Sequence, residues 1–81
     1  MLSDTPRLAY VFLRVDLPPA RETRPEVERL VGGADVSVVT GRHDLIIALP
    51  EMKQQAAEEL IGKIGKIRGV PSSGIETYWV A

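Results

Sequence analysis

The sequence predicts an α+β chain of ferredoxin-like form, a βαββαβ order giving a four-stranded antiparallel sheet with two helices on one face. Three observations lead there. Four short runs rich in branched and aromatic residues alternate with two segments of helical spacing, and a tight glycine turn joins the two middle runs. The chain has 81 residues, 44% of them hydrophobic and 26% charged, enough for one small core and too little for a second.

The first strand is Leu8 to Val15, an apolar run too short for a typical helix and stopped by Asp16-Leu17-Pro18-Pro19. Thr23-Arg24-Pro25-Glu26 has the S/T-x-x-E form of a capping box with proline in the first turn. Val27, Leu30 and Val31 then recur at helical spacing, and Gly32-Gly33 closes this short helix. Val36–Val39 and Leu45–Leu49 flank Gly41 and read as an antiparallel hairpin, the second and third strands. From Glu51 to Ile67 the stripe Met52, Ala56, Leu60, Ile64, Ile67 predicts a longer helix, weakened near its end by Gly62 and Gly65. After Pro71-Ser72-Ser73-Gly74, the segment Ile75–Val80 is the final strand.

A net charge of −1, with ten basic residues interleaved among eleven acidic ones, offers no long-range attraction for phosphate backbones, so direct nucleic-acid binding is not expected. No apolar stretch is long enough to span a bilayer, and Met1-Leu2-Ser3-Asp4 lacks the features of a signal peptide. With no Cys, the simplest expectation is a cytoplasmic chain. So small a domain normally gains support from disulfides, metal or association, and no Cys with one His leaves association.

Alternation on the first strand sharpens that point. Val11, Leu13 and Val15 fall on one face and Leu8, Tyr10 and Phe12 on the other, while the third strand is apolar at consecutive positions. Two helices cover one face of a sheet. The uncovered apolar face is therefore expected to meet another sheet, most simply that of an identical chain.

Candidate chemistry concentrates in the turn Thr40-Gly41-Arg42-His43-Asp44, where amides can accept a carboxylate and an aspartate can pair with an ammonium, although glycine and aspartate are also ordinary turn residues. His43 is the one histidine and has no Cys, second His or nucleophile motif to work with, so neither catalysis nor metal binding is expected, and no cofactor. Pro71-Ser72-Ser73-Gly74 could wrap an anion but is also what a helix-to-strand connection needs. Glu76 and Thr77, on one strand, point to opposite faces, and Tyr78 and Trp79 read as interface anchors.

Val39-Thr40-Gly41-Arg42-His43-Asp44-Leu45, then Ile67-Arg68-Gly69-Val70 and Glu76-Thr77, resemble in order and spacing the RAM domain, the ligand-binding and oligomerisation module of the Lrp/AsnC transcriptional regulators. The resemblance runs from about Arg7 to the C-terminus. It implies a single stand-alone RAM-like domain over residues 1–81, with residues 1–6 as an extension and no DNA-binding domain ahead. It further implies an amino-acid effector bound between subunits, assembly into dimers and higher oligomers, and a regulatory role without enzymatic activity.

Carried over by position, it implicates Gly41, Arg42, His43 and Asp44 in the turn and Thr77 in the last strand. Ile75 stands where a threonine is common, and Ser73 or Ser72 could replace its hydroxyl. The alternatives are an interaction subunit co-assembling with full-length Lrp/AsnC regulators without binding ligand, and a small dimeric ferredoxin-like enzyme.

Overall fold

The computed structural model describes residues 6–16, 19–32 and 35–80, with Ser72 described by its backbone alone. Its elements are β1 (Arg7–Leu13), α1 (Ala20–Val31), β2 (Asp35–Val38), β3 (Leu45–Met52), α2 (Gln54–Ile64), a short 3-10 turn (Ser72–Gly74) and β4 (Ile75–Trp79). The sheet order is β2-β3-β1-β4 and every pairing is antiparallel. The expected ferredoxin-like α+β architecture is therefore present. Leu17, Pro18 and Gly33, to which the sequence assigns chain-stopping roles, lie outside the described residues, as does the extension up to Thr5.

Strand alternation sorts the sheet into two faces. Ala9, Val11 and Leu13 of β1 and Leu45, Ile47 and Leu49 of β3 are buried with Val27 and Val31 of α1 and Ala57 and Ile64 of α2, so both helices cover the same side. Val11, Leu13, Leu45, Ile47, Val27 and Ile64 are wholly inaccessible. Among the described residues nothing covers the opposite side. There Leu8, Tyr10, Tyr78 and Val80 keep 42 to 55% of their surface exposed.

Several boundaries differ from expectation, β1 for one ending at Leu13 rather than Val15. α1 begins at Ala20, capped by Pro19, rather than at a Thr23 capping box. Thr23 sits inside the helix with its backbone N–H donating to the Pro19 carbonyl at 3.2 Å and its side chain buried. The capping pattern is overridden because an earlier start adds a turn and brings Thr23 onto the same face as Val27 and Val31.

β3 runs on through Glu51 and Met52, where Met52 pairs with Arg7, so the helix expected to be the longer starts only at Gln54 and, at 11 residues against the 12 of α1, is the shorter of the two. Its buried positions are Ala57 and Ile64, with Leu60 and Ile61 packed against the core, whereas Ala56 is exposed. Leu60, Ile64 and Ile67 of the expected stripe thus do meet the core, whereas Ala57 takes the place expected of Ala56 and Met52 belongs to β3. The helix ends at Ile64, and Ile67 is buried from the following turn.

Trp79 differs as well. It lies on the helix-covered side, packed against the core with the Arg7 guanidinium 5.4 Å from its ring, so of the two expected interface aromatics Tyr78 alone faces outward.

Candidate functional site

One end of the sheet is stitched around the segment Arg14–Asp16, just beyond β1. Its three consecutive N–H groups donate in three directions: Arg14 to the Gly74 carbonyl at 2.9 Å, Val15 to the Asp44 carboxylate at 2.8 Å, and Asp16 to the Gly69 carbonyl at 3.0 Å. The hairpin turn is closed by Val39 N–H donating to the Asp44 carbonyl at 2.9 Å and anchored by Asp44 N–H donating to the Leu13 carbonyl at 2.8 Å. Two pieces of sequence some thirty residues apart, the Gly41 turn and the Gly69–Gly74 connection, thereby meet at one place.

Glycine is needed here for two different reasons. Gly41 has φ 132°, which side chains rarely adopt, so the turn would strain with another residue. Gly74 is a matter of space. A Cβ there would meet the Arg14 Cβ at 3.0 Å and the Pro71 Cγ at 3.2 Å.

The turn delivers His43 to the open face of the sheet. Its imidazole meets the Phe12 ring edge to face, with centroids 5.3 Å apart at 62°, and Phe12 meets Tyr78 in the same way at 5.3 Å and 83°. Tyr10, Phe12, His43 and Tyr78 together line a shallow apolar cup of about 310 Å³. The cup follows from register, since Tyr10 pairs with Tyr78 and Phe12 with Glu76 across β1 and β4.

A polar chain runs along its rim. Tyr78 O–H donates to Glu76 Oε1 at 2.8 Å, and His43 Nε2 lies 3.5 Å from Glu76 Oε2. The Tyr78 hydrogen bond holds the Glu76 carboxyl below the usual carboxylate range, and His43 and Arg42 add to the lowering. The same bond pushes the Tyr78 phenol up, because losing its proton would set a second negative charge beside Glu76. The Glu76 carboxylate thus borders an aromatic surface, and Arg42, next to His43 in the turn, is near enough to add to its lowering.

The six residues singled out from sequence separate accordingly. Gly41, Arg42, His43 and Asp44 share the turn, and Ser73 lies exposed in the connection at the same end of the sheet. Asp44 spends one carboxylate oxygen on the Val15 amide, which makes it a brace of the turn. Thr77 is apart from the others. It pairs with Val11 on the helix-covered side, while Glu76 and Tyr78 of the same strand face the cup.

Tyr10, Phe12, Glu76 and Tyr78 are the neighbours that sequence reading left out of the site. Alternation already places Tyr10 and Phe12 on one face, but the pairing that sets Glu76 and Tyr78 beside them is a tertiary fact. Among the described residues no group of three or more His, Asp or Glu side chains is arranged to hold a metal, and no helix is long and apolar enough to cross a membrane.

The fold and this face define an α+β protein with a covered and an uncovered sheet surface, the uncovered one carrying an aromatic cup. Comparison with protein-family models, with characterised proteins and with solved structures finds no match to this chain.

Proposed function

We propose that this chain is a non-enzymatic regulatory module of the RAM type, which pairs with a second copy through its open sheet face and holds an amino acid between subunits. The observation that carries the reading is the uncovered apolar face with the cup at one end. Leu8, Tyr10, Tyr78 and Val80 are each more than two-fifths exposed, an apolar surface that a small domain gains stability by covering. Shape and size favour a like sheet as the cover, since the pleated face of one copy is complementary to that of another across a twofold axis.

The cup supports the ligand part of the reading. An amino acid carries a cation, an anion and a side chain; the cup offers the Glu76 carboxylate for the ammonium and aromatic rings for an apolar side chain, and Arg42, in the turn beside His43, would take the carboxylate. Lying on the face that pairs, such a ligand would be shared by two subunits, and its binding would bias assembly. The same face would serve co-assembly with full-length Lrp/AsnC regulators in the cytoplasm.

Thermal unfolding against each common amino acid at millimolar concentration tests the ligand, because saturation at about a hundred times Kd stabilises by roughly 2.7 kcal/mol. A selective rise in Tm that is lost in Glu76→Gln supports it, and no rise with any amino acid removes it. Sedimentation of Tyr10→Asp tests the pairing: the variant should be a folded monomer where the parent is a dimer, and a parent monomeric at micromolar concentration refutes the face-to-face reading.

A second reading rests on the Tyr78–Glu76–His43 chain, an acid/base cluster that the sequence did not reveal. A histidine beside a carboxylate at an aromatic cup is also the equipment of a small dimeric enzyme moving a proton on an aromatic substrate. Turnover abolished by His43→Gln, with folding intact, would favour it.

A further inference from the structure

On the far side of the molecule from the cup, the helix layer holds a second concavity. The C-terminal parts of α1 and α2 and the turn after α2 border an open cleft of about 350 Å³. Four cations, Arg29, Lys63, Lys66 and Arg68, line it against the single carboxylate of Glu26, with Leu30 and Ile67 as an apolar floor. The cleft therefore carries +3, four cations less one carboxylate, in a chain whose net charge is −1. Charge that sequence reading averages out as interleaved is concentrated here by the fold.

Cations at helix ends are often explained by the helix dipole, and Arg29 and Lys63 do lie in last turns. That account stops short of Lys66 and Arg68, which lie beyond α2. Some of the carbonyls at these ends are also already engaged: Glu28 accepts from Gly32 N–H at 3.0 Å, Ile61 from Gly65 at 3.0 Å, Lys63 from Lys66 at 3.1 Å and Ile64 from Ile67 at 3.1 Å. Neither the Arg24–Glu28 ion pair nor the His43–Glu76 contact, the two close pairings of this kind among the described residues, involves the four. Four like charges gathered around one concavity repel, and an anion placed among them relieves that repulsion.

We propose that this cleft binds a small molecule bearing two or more phosphate groups, with the phosphates among Arg29, Lys63, Lys66 and Arg68 and an organic portion resting on Leu30 and Ile67. A volume of about 350 Å³ is that of a small-ligand site. Several flexible cations around one space suit a multiply charged anion better than a single carboxylate, which one guanidinium satisfies. The site is separate from the cup, so a small-molecule signal could reach the chain from either layer.

Calorimetric titration of the full chain at low ionic strength, with tripolyphosphate, a nucleoside diphosphate and the corresponding neutral nucleoside as probes, tests this. Both phosphorylated probes should bind and the nucleoside should not. Binding should weaken at least about tenfold in Lys66→Gln/Arg68→Gln and at higher salt, since exposed charge attraction is screened over about 8–10 Å. Lys53→Gln, a charge removed at the opposite end of α2, should leave it unchanged. Absence of binding, an equal loss in Lys53→Gln, or no loss in the double variant overturns the site. Tighter capture of an acidic peptide or an oligonucleotide through the same residues overturns the small-molecule assignment in favour of a macromolecular partner.

Discussion

Replacing Asp44 by alanine separates what the turn does for the fold from what it does for a ligand. If Asp44 paired with a ligand ammonium, as the turn chemistry suggests, Asp44→Ala would weaken ligand binding and leave folding intact. The 2.8 Å bond from Val15 N–H to the Asp44 carboxylate predicts a loss of stability instead. A hydrogen bond to a charged acceptor contributes about 1.5–3 kcal/mol net, and because both residues are half-buried, so that water can reach the freed amide, the lower part of that range applies, about 1.5–2 kcal/mol.

For a domain of this size each kcal/mol moves Tm by about 4–8 °C, so Asp44→Ala should melt about 6–16 °C below the parent. Asp44→Asn keeps an oxygen in place and should recover about half of the loss. Urea unfolding followed by circular dichroism gives the free energy directly, at one protein concentration so that self-association does not distort the comparison. Asp44→Ala within about 0.5 kcal/mol of the parent would refute the bracing role and return Asp44 to the list of ligand groups.

Other expectations follow from single contacts. Tyr78→Phe removes the hydrogen bond that chiefly lowers Glu76, so the carboxyl should titrate closer to its ordinary range by NMR. Because Glu76 is depressed in the folded chain, its contribution to stability is present above its unfolded pKa and fades as pH falls through the folded value, and the variant should show a weaker acid dependence. Gly74→Ala must displace Arg14 or Pro71, whose atoms stand 3.0 and 3.2 Å from the new methyl, and should destabilise by about 1–3 kcal/mol in the same urea assay. Thr23→Val removes a buried hydroxyl that has no partner among the described residues, at almost constant volume, and should leave stability unchanged or raise it by about 1 kcal/mol in thermal melts.

Much of the architecture was legible because hydrophobic period and turn chemistry are local. The branched run at Leu8 and the terminal Ile75 segment each marked its strand within a residue or two, the glycine turn at Gly41 marked where β3 begins, and their order fixed the class. Competition between elements was less legible. Thr23 and Met52 each carry a signal that is locally sound, a cap and a helical stripe, and in each case a neighbour makes a better use of the residue, burial in α1 for one and pairing with Arg7 for the other.

What the sequence by itself determined is the βαββαβ order, the two-faced alternation of β1 and the surplus of apolar residues over what two helices can cover. Those follow from periods of two and about three and a half residues, which any window of chain displays. What the tertiary structure decided is the company each side chain keeps. The pairing of β1 with β4 sets Glu76 and Tyr78 beside Phe12 and His43, three amides in a row tie the Gly41 turn to the Gly74 connection, and two helix ends gather four cations from two stretches of sequence. Register and crossing geometry are properties of elements meeting in space, and no short-range pattern encodes which residues will stand face to face.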